Sequence, residues 1–342
     1  MTEARTTMIV LTKDRAEQLR YLLNFYKDFV IPIIIVDGSE TAFPDRGLHG
    51  GVRYVHRPGV DYTTRKNDAV AEVETPYILL RSDRRHVFPG GIKAAADFLD
   101  HNPDYGAAHG LYAALNVNAD PPTVNPTYDY DDNLGIADDS FASRLLTLWP
   151  KYVPSYYAVT RTEIWRKISE IESEFDFDYF FYDELIQAIF SSAFGKIKRL
   201  DHLYCVNQPP KTIYTDSEGP MAKVKALRDS RSHQYSLIVS AMGRLIAEKH
   251  SCSRSEAEAA VAACLASFIR RVDSKDDEKR FVPKAIDSTR RACGKLLRIL
   301  KGQTANRRKF RREQFYARLD GPSRSALESF LSTLPPPIPT TR

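Results

Sequence analysis

The sequence predicts an α/β fold, in which a mostly parallel sheet is flanked by helices and followed by a helical C-terminal extension. Strand-like and helix-like patterns alternate over about the first 115 residues, which is typical of a parallel sheet covered on both faces. Two predicted strands end in an acid, at Asp37-Gly38 and at Ser82-Asp83. From about residue 215 onward, the apolar residues recur at helical spacing.

The predicted strands of the first half are short runs rich in β-branched residues. They cover residues 7–12, 31–39, 52–58, 75–83 and 107–115. The run at 31–39 is continuously apolar before its Asp-Gly-Ser ending, as expected of a strand buried on both faces. Helices are predicted after Asp14, which can cap the first of them, at 63–73, and in IKAAADFLDHNPDYG.

The second half continues with a predicted loop at 116–140, which is rich in Pro, Asn and Asp. A helix, a strand and a helix follow over 140–168, a strong helix lies within 174–198, and a last strand covers 200–208. Long helical patterns are then predicted at 221–250, 254–272 and 283–301, before a polyproline-like end.

Composition excludes several classes of protein. The chain has 342 residues, of which 43% are hydrophobic and 27% charged, as in ordinary globular proteins. No run approaches the roughly 18 apolar residues of a membrane helix, and the N-terminus has no signal-peptide pattern, so we expect a cytoplasmic protein. None of the four cysteines (Cys205, Cys252, Cys264 and Cys293) forms a CxxC pair, which argues against a zinc site and for free thiols.

The positive charge is concentrated in one segment. Residues 284–318 contain twelve Lys or Arg and two acids, a local balance of +10 within a net charge of +5. Apolar side chains lie among these cations, at Leu296, Leu297, Ile299 and Leu300. Such a segment is typical of peripheral contact with an anionic membrane; a solvated face or a nucleic-acid surface are the alternatives, of which nucleic acid is the weakest.

Two common phosphate-binding motifs and one hydrolase motif are absent from the sequence. The sequence contains neither GxGxxG nor GxxxxGK[ST], which argues against a dinucleotide-binding enzyme and a P-loop NTPase. It also lacks the GxSxG motif of α/β-hydrolases.

Five features nevertheless occur in a characteristic order. They are Thr12 and Arg15 after the opening strand, the ending VDGS, the pair Lys66-Asn67 at a helix, the strand TPYILL ending in an acid, and the acid pair Asp183-Glu184 on a late helix. Over about residues 6–210, this order resembles the GT-A glycosyltransferases, specifically the inverting, family-2-like bacterial enzymes.

The resemblance implies the first domain of the chain, and the helical patterns and the proline run predict the parts that follow it. A GT-A domain is expected at 1–215, with a donor half at about 1–115 and an acceptor half at about 116–215. A helical region containing the basic segment is expected at 216–330, and a Pro-rich tail at 331–342.

The resemblance also implies a donor site. Asp37 is expected to contact the base or ribose of a nucleotide, because a carboxylate at a strand end can accept hydrogen bonds from NH and OH groups. Thr12 and Arg15 are expected to touch the same nucleotide. Arg65 and Lys66 lie next to a predicted helix N-terminus, where adjacent cations favour an anion, so they either face the donor phosphates or are solvated surface charges.

The metal motif of this family is degenerate here. The family has Asp-x-Asp after the TPYILL-type strand, whereas this sequence has Asp83, Arg84 and Arg85. Since the second carboxylate is replaced by Arg85, the binding of Mg²⁺ or Mn²⁺ is expected to be weakened or lost. Three interpretations stay open: the two arginines clamp the diphosphate directly, His86 replaces the lost ligand beside Asp83, or the donor site is inactive.

Inverting transfer needs a base that deprotonates the acceptor hydroxyl. The resemblance places an acid at the start of a late helix for this role, and Glu184 is the expected base with Asp183 as its neighbour. An acidic first helical turn that is favoured by the helix dipole is the structural alternative. The aromatic residues Trp149, Tyr152, Tyr156 and Tyr157 form either an acceptor wall or ordinary core.

These features predict a hexosyltransferase-type glycosyltransferase of polysaccharide biosynthesis. It would move a sugar from a nucleotide donor, UDP-linked by expectation, to a glycan or lipid-linked glycan. The alternative is a non-catalytic, glycosyltransferase-like subunit that binds a glycan or a partner enzyme, and Arg85 is the residue that favours it.

Overall fold

The computed structural model describes residues 4–44, 50–83, 85–116, 122–128, 135–150, 155–174, 180–207, 234–287 and 309–334. Within these residues there are ten strands. In chain order they are β1 (Thr6–Thr12), β2 (Ile33–Asp37), β3 (Val52–His56), β4 (Tyr77–Ser82), β5 (Arg85–Val87), β6 (Tyr105–Asn116), β7 (Thr123–Pro126), β8 (Gly135–Ile136), β9 (Val159–Arg161) and β10 (Lys196–Asn207).

All ten strands belong to one sheet. Its order is β3-β2-β1-β4-β9-β6-β10-β5, with β7 paired to β6 and β8 to β10. The neighbours from β3 to β4 are parallel, as are β6 and β10. The short strand β9 runs antiparallel between β4 and β6 and joins the two parallel groups. The predicted fold class is thereby confirmed.

Burial explains why the central strands form. Every residue of β1 and of β2 is buried, which is the environment that their continuous apolar runs predict. The five strands predicted in the first half have ends within two residues of those observed for β1, β2, β3, β4 and β6, and the strand predicted at 200–208 begins earlier, at Lys196. The short strands β5, β7 and β8 were not predicted.

Helices cover both faces of the sheet. They are α1 (Ala16–Tyr26), α2 (Tyr62–Ala71), α3 (Pro89–His101), α4 (Phe141–Leu148), α5 (Thr162–Glu174), α6 (Phe180–Phe194), α7 (Gln234–His250), α8 (Arg254–Asp287), α9 (309–318) and α10 (Gly321–Ser332). Helices α1 and α3 pack on one face, whereas α2, α4, α5, α6, α7 and α8 contribute to the core on the other.

Two predictions about the elements were wrong. Asp14 does not cap α1: the N-cap is Arg15, and Asp14 adopts a left-handed φ of 55° with its backbone N donating to Ser39 Oγ at 2.8 Å. The predicted loop at 116–140 contains β7, which pairs antiparallel with the end of β6 from Ala113–Pro126 to Asn116–Thr123. The prolines of this segment suggested a loop, but an edge strand can contain a proline such as Pro126, because one side of its backbone needs no hydrogen-bond partner.

The helices that follow residue 215 share the core of the sheet. Residues of α7 and α8, such as Met242 and Leu265, pack in the same apolar cluster as Leu145 of α4 and Ile189 of α6. Helix α8 is continuous to Asp287, beyond the predicted end at 272, and the helix predicted at 283–301 lies otherwise outside the described residues. No helix in the described part of the chain is long and apolar enough to cross a membrane.

Helices α9 and α10 pack against the β10 side of the sheet. Phe315, Leu327 and Phe330 belong to an apolar cluster with Leu203 of β10. At its centre, the buried backbone N of Leu203 donates to Ser323 Oγ at 3.1 Å, so a side chain of α10 satisfies a donor of the sheet.

We predict that Ser323→Ala destabilises the protein by about 1–3 kcal/mol, because it leaves the buried Leu203 N–H without an acceptor. The free energy of unfolding measured with denaturant tests this. The control is Ser325→Ala on the exposed side of the same helix, which should change stability by less than about 0.5 kcal/mol. Equal effects of the two substitutions would contradict the role given to Ser323.

Candidate active site

Three parallel strands bring the predicted donor residues to one edge of the sheet. Thr12 at the end of β1 is the register partner of Asp37 at the end of β2. On the other side of β1, Leu11 pairs with Ser82, so Asp83 follows at the same edge. Ligands of open α/β sheets bind beyond the carboxyl ends of the strands, and this edge is therefore the first candidate for a binding site.

Asp83 is tied directly to two of the predicted residues. Thr12 Oγ1 donates to Asp83 Oδ2 at 2.9 Å, and Arg15 Nη1 lies 3.1 Å from Asp83 Oδ1. The Asp83 side chain is fully buried, whereas that of Arg15 remains 26% exposed. Thr12, Arg15 and Asp83 thus form one hydrogen-bonded group in which the arginine is accessible.

Asp37 organises the neighbouring loop. Its Oδ1 accepts from the backbone N of Ser39 at 2.9 Å and from the Ser39 hydroxyl, and its Oδ2 accepts from Tyr54 Oη at 2.7 Å. These three donors use most of the roughly four acceptor positions of a carboxylate. Asp37 is only 3% exposed, and these bonds fix the loop that forms part of the cavity wall.

A cavity of about 550 Å³ opens at this edge. Its volume lies within the roughly 300–1,000 Å³ typical of small-molecule sites. Its lining includes Thr12, Asp14, Arg15, Asp37, Ser39 and Phe43. The predicted residues Thr12, Arg15 and Asp37 therefore line one cavity, with Asp83 directly behind them.

Arg65 links the ends of β1 and β2 at this edge through hydrogen bonds to their backbones. Its Nη1 donates to the backbone oxygens of Thr12 and Val36, at 3.0 and 3.3 Å. The guanidinium lies so close to Gly38 that a Cβ at position 38 would be 2.5 Å from Arg65 Cζ. A side chain at position 38 would therefore require the Arg65 guanidinium to shift. Arg65 binds protein carbonyls where phosphates were expected.

Lys66 and Asp183 occupy a different place from the predicted one. Lys66 is fully buried within α2, where its ammonium forms ion pairs with Asp183 and Glu172. Helix α2 begins at Tyr62, capped by Asp61, so Lys66 lies in the second turn and not at a helix N-terminus. The structure therefore gives no support to Lys66 as a phosphate ligand or to Asp183 as a solvent-facing acid.

Arg85 is held against an aromatic ring. Its Cζ lies 3.9 Å from the centre of the Tyr157 ring, and its Nη1 donates to Asn207 Oδ1 at 2.9 Å. Burial opposes the charged guanidinium, but Tyr157 and Cys205 contribute to raising the pKa of Arg85. The result is a fixed cation two residues beyond Asp83.

Glu184 shares the surroundings of Arg85. The pKa of Tyr157 is raised by burial, lowered by Arg85 and raised by Glu184. The same three influences act on Tyr128, whose pKa is also raised. Glu184 is partly buried in α6. Tyr128 and Tyr157 thus each interact electrostatically with both Arg85 and Glu184, the carboxylate that was predicted to be the base.

His86 lies in an aromatic pocket instead of beside Asp83. Its ring contacts Tyr21, Phe25 and Phe330, with ring centres 5.0 to 5.3 Å apart. Neither ring nitrogen has a hydrogen-bond partner, and the residue is 1% exposed. This placement gives no support to a shared Asp83–His86 metal site. Arg84 lies outside the described residues.

The donor atoms at this edge do not fit a divalent cation. Both oxygens of Asp83 accept from Thr12 and Arg15, and Arg85 brings a positive charge where the family motif has a carboxylate. Among the described residues, no group of three or more His, Cys, Asp or Glu side chains could hold a metal ion. A divalent cation needs several oxygen ligands, which these residues do not supply.

Several residues of this region were not predicted. Ser39, Tyr54 and Asn207 each bond a predicted site residue. Ser39 follows the strand-end acid by two positions, and this spacing was a usable signal. Tyr54 and Asn207 reach the site through strand pairing, which the local sequence does not reveal. Trp149 and Tyr156 are core residues, and Tyr152 lies outside the described residues.

The basic segment is described only in part. Of residues 284–318, the structure describes the end of α8 and helix α9. Phe310 on α9 is 59% exposed and lies beside Lys309, whose side chain is 70% exposed. Contact with an anionic membrane stays a prediction.

Neither a scan against protein-family models nor a comparison with curated proteins gave a match. Among solved structures, the chain is similar to S. aureus TarS residues 1–349, with 14% identity, a TM-score of 0.45, and coverage of 80% of this chain and 92% of that one. The same fragment in complex with UDP-GlcNAc gives 13% identity and a TM-score of 0.45. Its complex with UDP gives 13% and 0.43, with the same coverage. The chemistry of the site rests on the geometry described above.

We predict that His86→Phe makes stability less dependent on pH. Burial, with the nearby Arg81, lowers the pKa of His86 to about 3, against about 6.5 in an unfolded chain. Between these values the unfolded state binds a proton that the folded state does not, so stability falls as the pH falls below about 6.5. A change from pH 7 to pH 5 therefore lowers the free energy of unfolding by about 2 kcal/mol through this single group.

Denaturation at pH 7 and at pH 5 measures the effect. The loss of stability should be about 2 kcal/mol smaller in His86→Phe than in the wild type. His101→Gln, which replaces an exposed histidine at the end of α3, controls for the loss of an imidazole as such. An unchanged pH dependence in His86→Phe would show that His86 is not buried in its neutral form.

Proposed function

We propose that this protein is a glycosyltransferase that moves a hexose from a nucleoside diphosphate donor, probed first as a UDP-sugar, to a glycan or lipid-linked glycan. One observation carries the proposal: Thr12, Arg15 and Asp37 line a single cavity at the carboxyl ends of β1 and β2, and Asp83 lies behind them. The sequence-level resemblance to GT-A enzymes places the donor nucleotide at the same residues.

In this proposal, the nucleoside occupies the cavity between α1 and the loop after β2. Asp37 and Ser39 offer polar atoms for the base or ribose, and the apolar ring of Phe43 lines the same cavity. Arg15 is an accessible cation of this wall, which Lys13 also lines, and it faces the diphosphate. A guanidinium binds phosphate oxygens through paired N–H groups.

Arginine side chains take over the electrostatic role of the metal in this proposal. The bond between the anomeric carbon and the phosphate oxygen breaks with its electron pair going to the nucleoside diphosphate, which leaves with added negative charge. A fixed positive charge stabilises such a transition state without reorganisation. Arg85, held by Tyr157 and Asn207, is such a charge.

Glu184 is the proposed base. Its carboxylate takes the proton from the acceptor hydroxyl while the hydroxyl oxygen attacks the anomeric carbon from the face opposite the leaving diphosphate. The new glycosidic bond therefore has inverted configuration. Its shared surroundings with Arg85, through Tyr128 and Tyr157, support placing the acceptor between these two charges.

A non-catalytic subunit is the second candidate, and it is favoured by Arg85 in the place of a metal-binding carboxylate. It would bind a glycan or a partner enzyme but turn over no donor. Turnover of a nucleotide sugar separates the two functions.

We predict that UDP raises the melting temperature equally with Mn²⁺ and with EDTA, since a ligand of the native state stabilises it by mass action. Arg15→Gln should weaken UDP binding by about 10- to 100-fold, which corresponds to the loss of a hydrogen bond to a charged group. Isothermal titration with UDP measures this affinity. Arg53→Gln is the control, because Arg53 is an exposed arginine of β3 paired with Glu72.

A requirement for Mn²⁺ would contradict the proposal that arginines replace the metal. The absence of binding by UDP, GDP and CMP alike would favour the non-catalytic subunit.

We predict that Glu184→Gln lowers the release of UDP from UDP-hexoses by about 10²- to 10⁴-fold, the usual contribution of a general base. UDP-GlcNAc and UDP-glucose with water as acceptor are the probes, and the affinity for UDP should stay within about threefold. Glu163→Gln, on the exposed first turn of α5, should retain full activity. Unchanged turnover in Glu184→Gln would exclude this residue as the base.

A further inference from the structure

A cluster of charged side chains is buried where α2, α5 and α6 meet. The Lys66 ammonium is fully buried, 2.7 Å from Glu172 Oε1 and in contact with Asp183 Oδ1. Tyr156 donates to the other oxygen of Asp183. We call Lys66, Glu172, Asp183 and Tyr156 the Lys66 cluster.

The charges of the Lys66 cluster balance only if one carboxyl group is protonated. Burial opposes the charged form of Lys66, but Asp183 and Glu172 together raise its pKa. Burial raises the pKa of Glu172 well above its usual value. Burial also acts to raise the pKa of Asp183, but Lys66 and the surrounding hydrogen bonds hold it below its usual value. We therefore assign the proton to Glu172, so that Lys66 and Asp183 form the ion pair.

Stability alone is a poor explanation for such a cluster. The desolvation of buried charges often exceeds their mutual attraction, and apolar residues of similar volume are frequently as stable. What a buried ion pair adds is a defined geometry, because leaving either partner unpaired is costly. The Lys66 cluster therefore defines how α2, α5, α6 and the segment before β9 lie relative to one another.

Helices α2 and α6 and the segment before β9 each carry a residue of the candidate active site. Helix α2 carries Arg65, which bonds the ends of β1 and β2. Tyr156 is followed by Tyr157, on which Arg85 stacks. Asp183 is followed by Glu184. Three members of the cluster are thus next in sequence to a residue of the site: Lys66 to Arg65, Asp183 to Glu184, and Tyr156 to Tyr157.

We propose that the Lys66 cluster is a positioning device that fixes the first turns of α6, and with them Glu184, relative to Arg85 and the donor cavity. This inference rests on the proposed function, since it assigns Glu184 a catalytic orientation. None of the four residues touches substrate; they act through their sequence neighbours.

Tyr156→Phe tests the proposal with little change of shape. It removes the hydroxyl that fixes Asp183. Ser155→Ala is a matched control, because Ser155 Oγ makes a buried hydrogen bond of 3.2 Å to Gln187 Oε1, between the same segment and the same helix. Asp183→Asn is the second variant, which keeps the size of the side chain but removes the ion pair.

We expect Tyr156→Phe and Asp183→Asn to lower kcat for UDP release from UDP-GlcNAc by about 10- to 100-fold, as a displacement of about 1 Å can do. The affinity for UDP should stay within about threefold, because the donor cavity is built by other residues. Amide hydrogen exchange at 180–187 should become faster in both variants. Ser155→Ala should keep its kcat even if its melting temperature falls.

Equal kcat values in Tyr156→Phe, Asp183→Asn and the wild type would overturn the proposal, as would unchanged hydrogen exchange at 180–187. A parallel loss of kcat in Ser155→Ala would also overturn it, since any weakening of the α6 contacts would then suffice. The proposed function fails in a different way: the wild type itself would release no UDP from any UDP-hexose, whatever the exchange rates of the variants.

Discussion

A buried ammonium group between two carboxyl groups is the constraint on which the rest of the site depends. Lys66 and Asp183 are 117 residues apart in sequence, and their pairing fixes α2 against α6. Because α2 also carries Arg65, the same pairing helps to position the hydrogen bonds that Arg65 donates to the backbone oxygens of Thr12 and Val36. In the proposed account, this ion pair therefore positions both the donor cavity and the proposed base.

The second feature of the site is that a cation, Arg85, occupies the position of the second acid of the Asp-x-Asp motif, whereas Asp83 keeps the first. A metal ion would need free carboxylate oxygens, whereas those of Asp83 are engaged by Thr12 and Arg15. Arg85 is stacked on Tyr157 and bonded to Asn207, which gives its charge a fixed position. Fixed charges can stabilise a leaving diphosphate in the way a metal does, so the loss of the second acid is compatible with a working enzyme.

The sequence predicted the parts of this structure that depend on local patterns. Continuous apolar runs identified the buried strands β1 and β2, and the acids at strand ends identified Asp37 and Asp83. Because parallel strands end at the same edge, local information was enough to group Thr12, Arg15 and Asp37 there.

The sequence could not predict the parts that depend on burial. Lys66 and Asp183 look like surface charges in sequence, and only the packing of α2 against α6 shows that they neutralise each other inside the core. His86 looks like a metal ligand because it follows Asp83 and Arg85, but the alternation of side chains along β5 directs it into an aromatic pocket. Asp14 looks like a helix cap in the sequence. In the structure its backbone has a left-handed φ and its backbone N donates to Ser39 Oγ, a contact that the local sequence does not reveal.

The most direct test of the account is a crystal structure of the protein grown with UDP in the presence of EDTA. We predict that the uridine lies in the cavity beside Asp37 and Ser39, with the diphosphate contacting Arg15 and directed toward Arg85, and with no metal between the phosphates and Asp83. UDP bound elsewhere on the protein, or a diphosphate that binds only when a divalent cation bridges it to Asp83, would contradict the account.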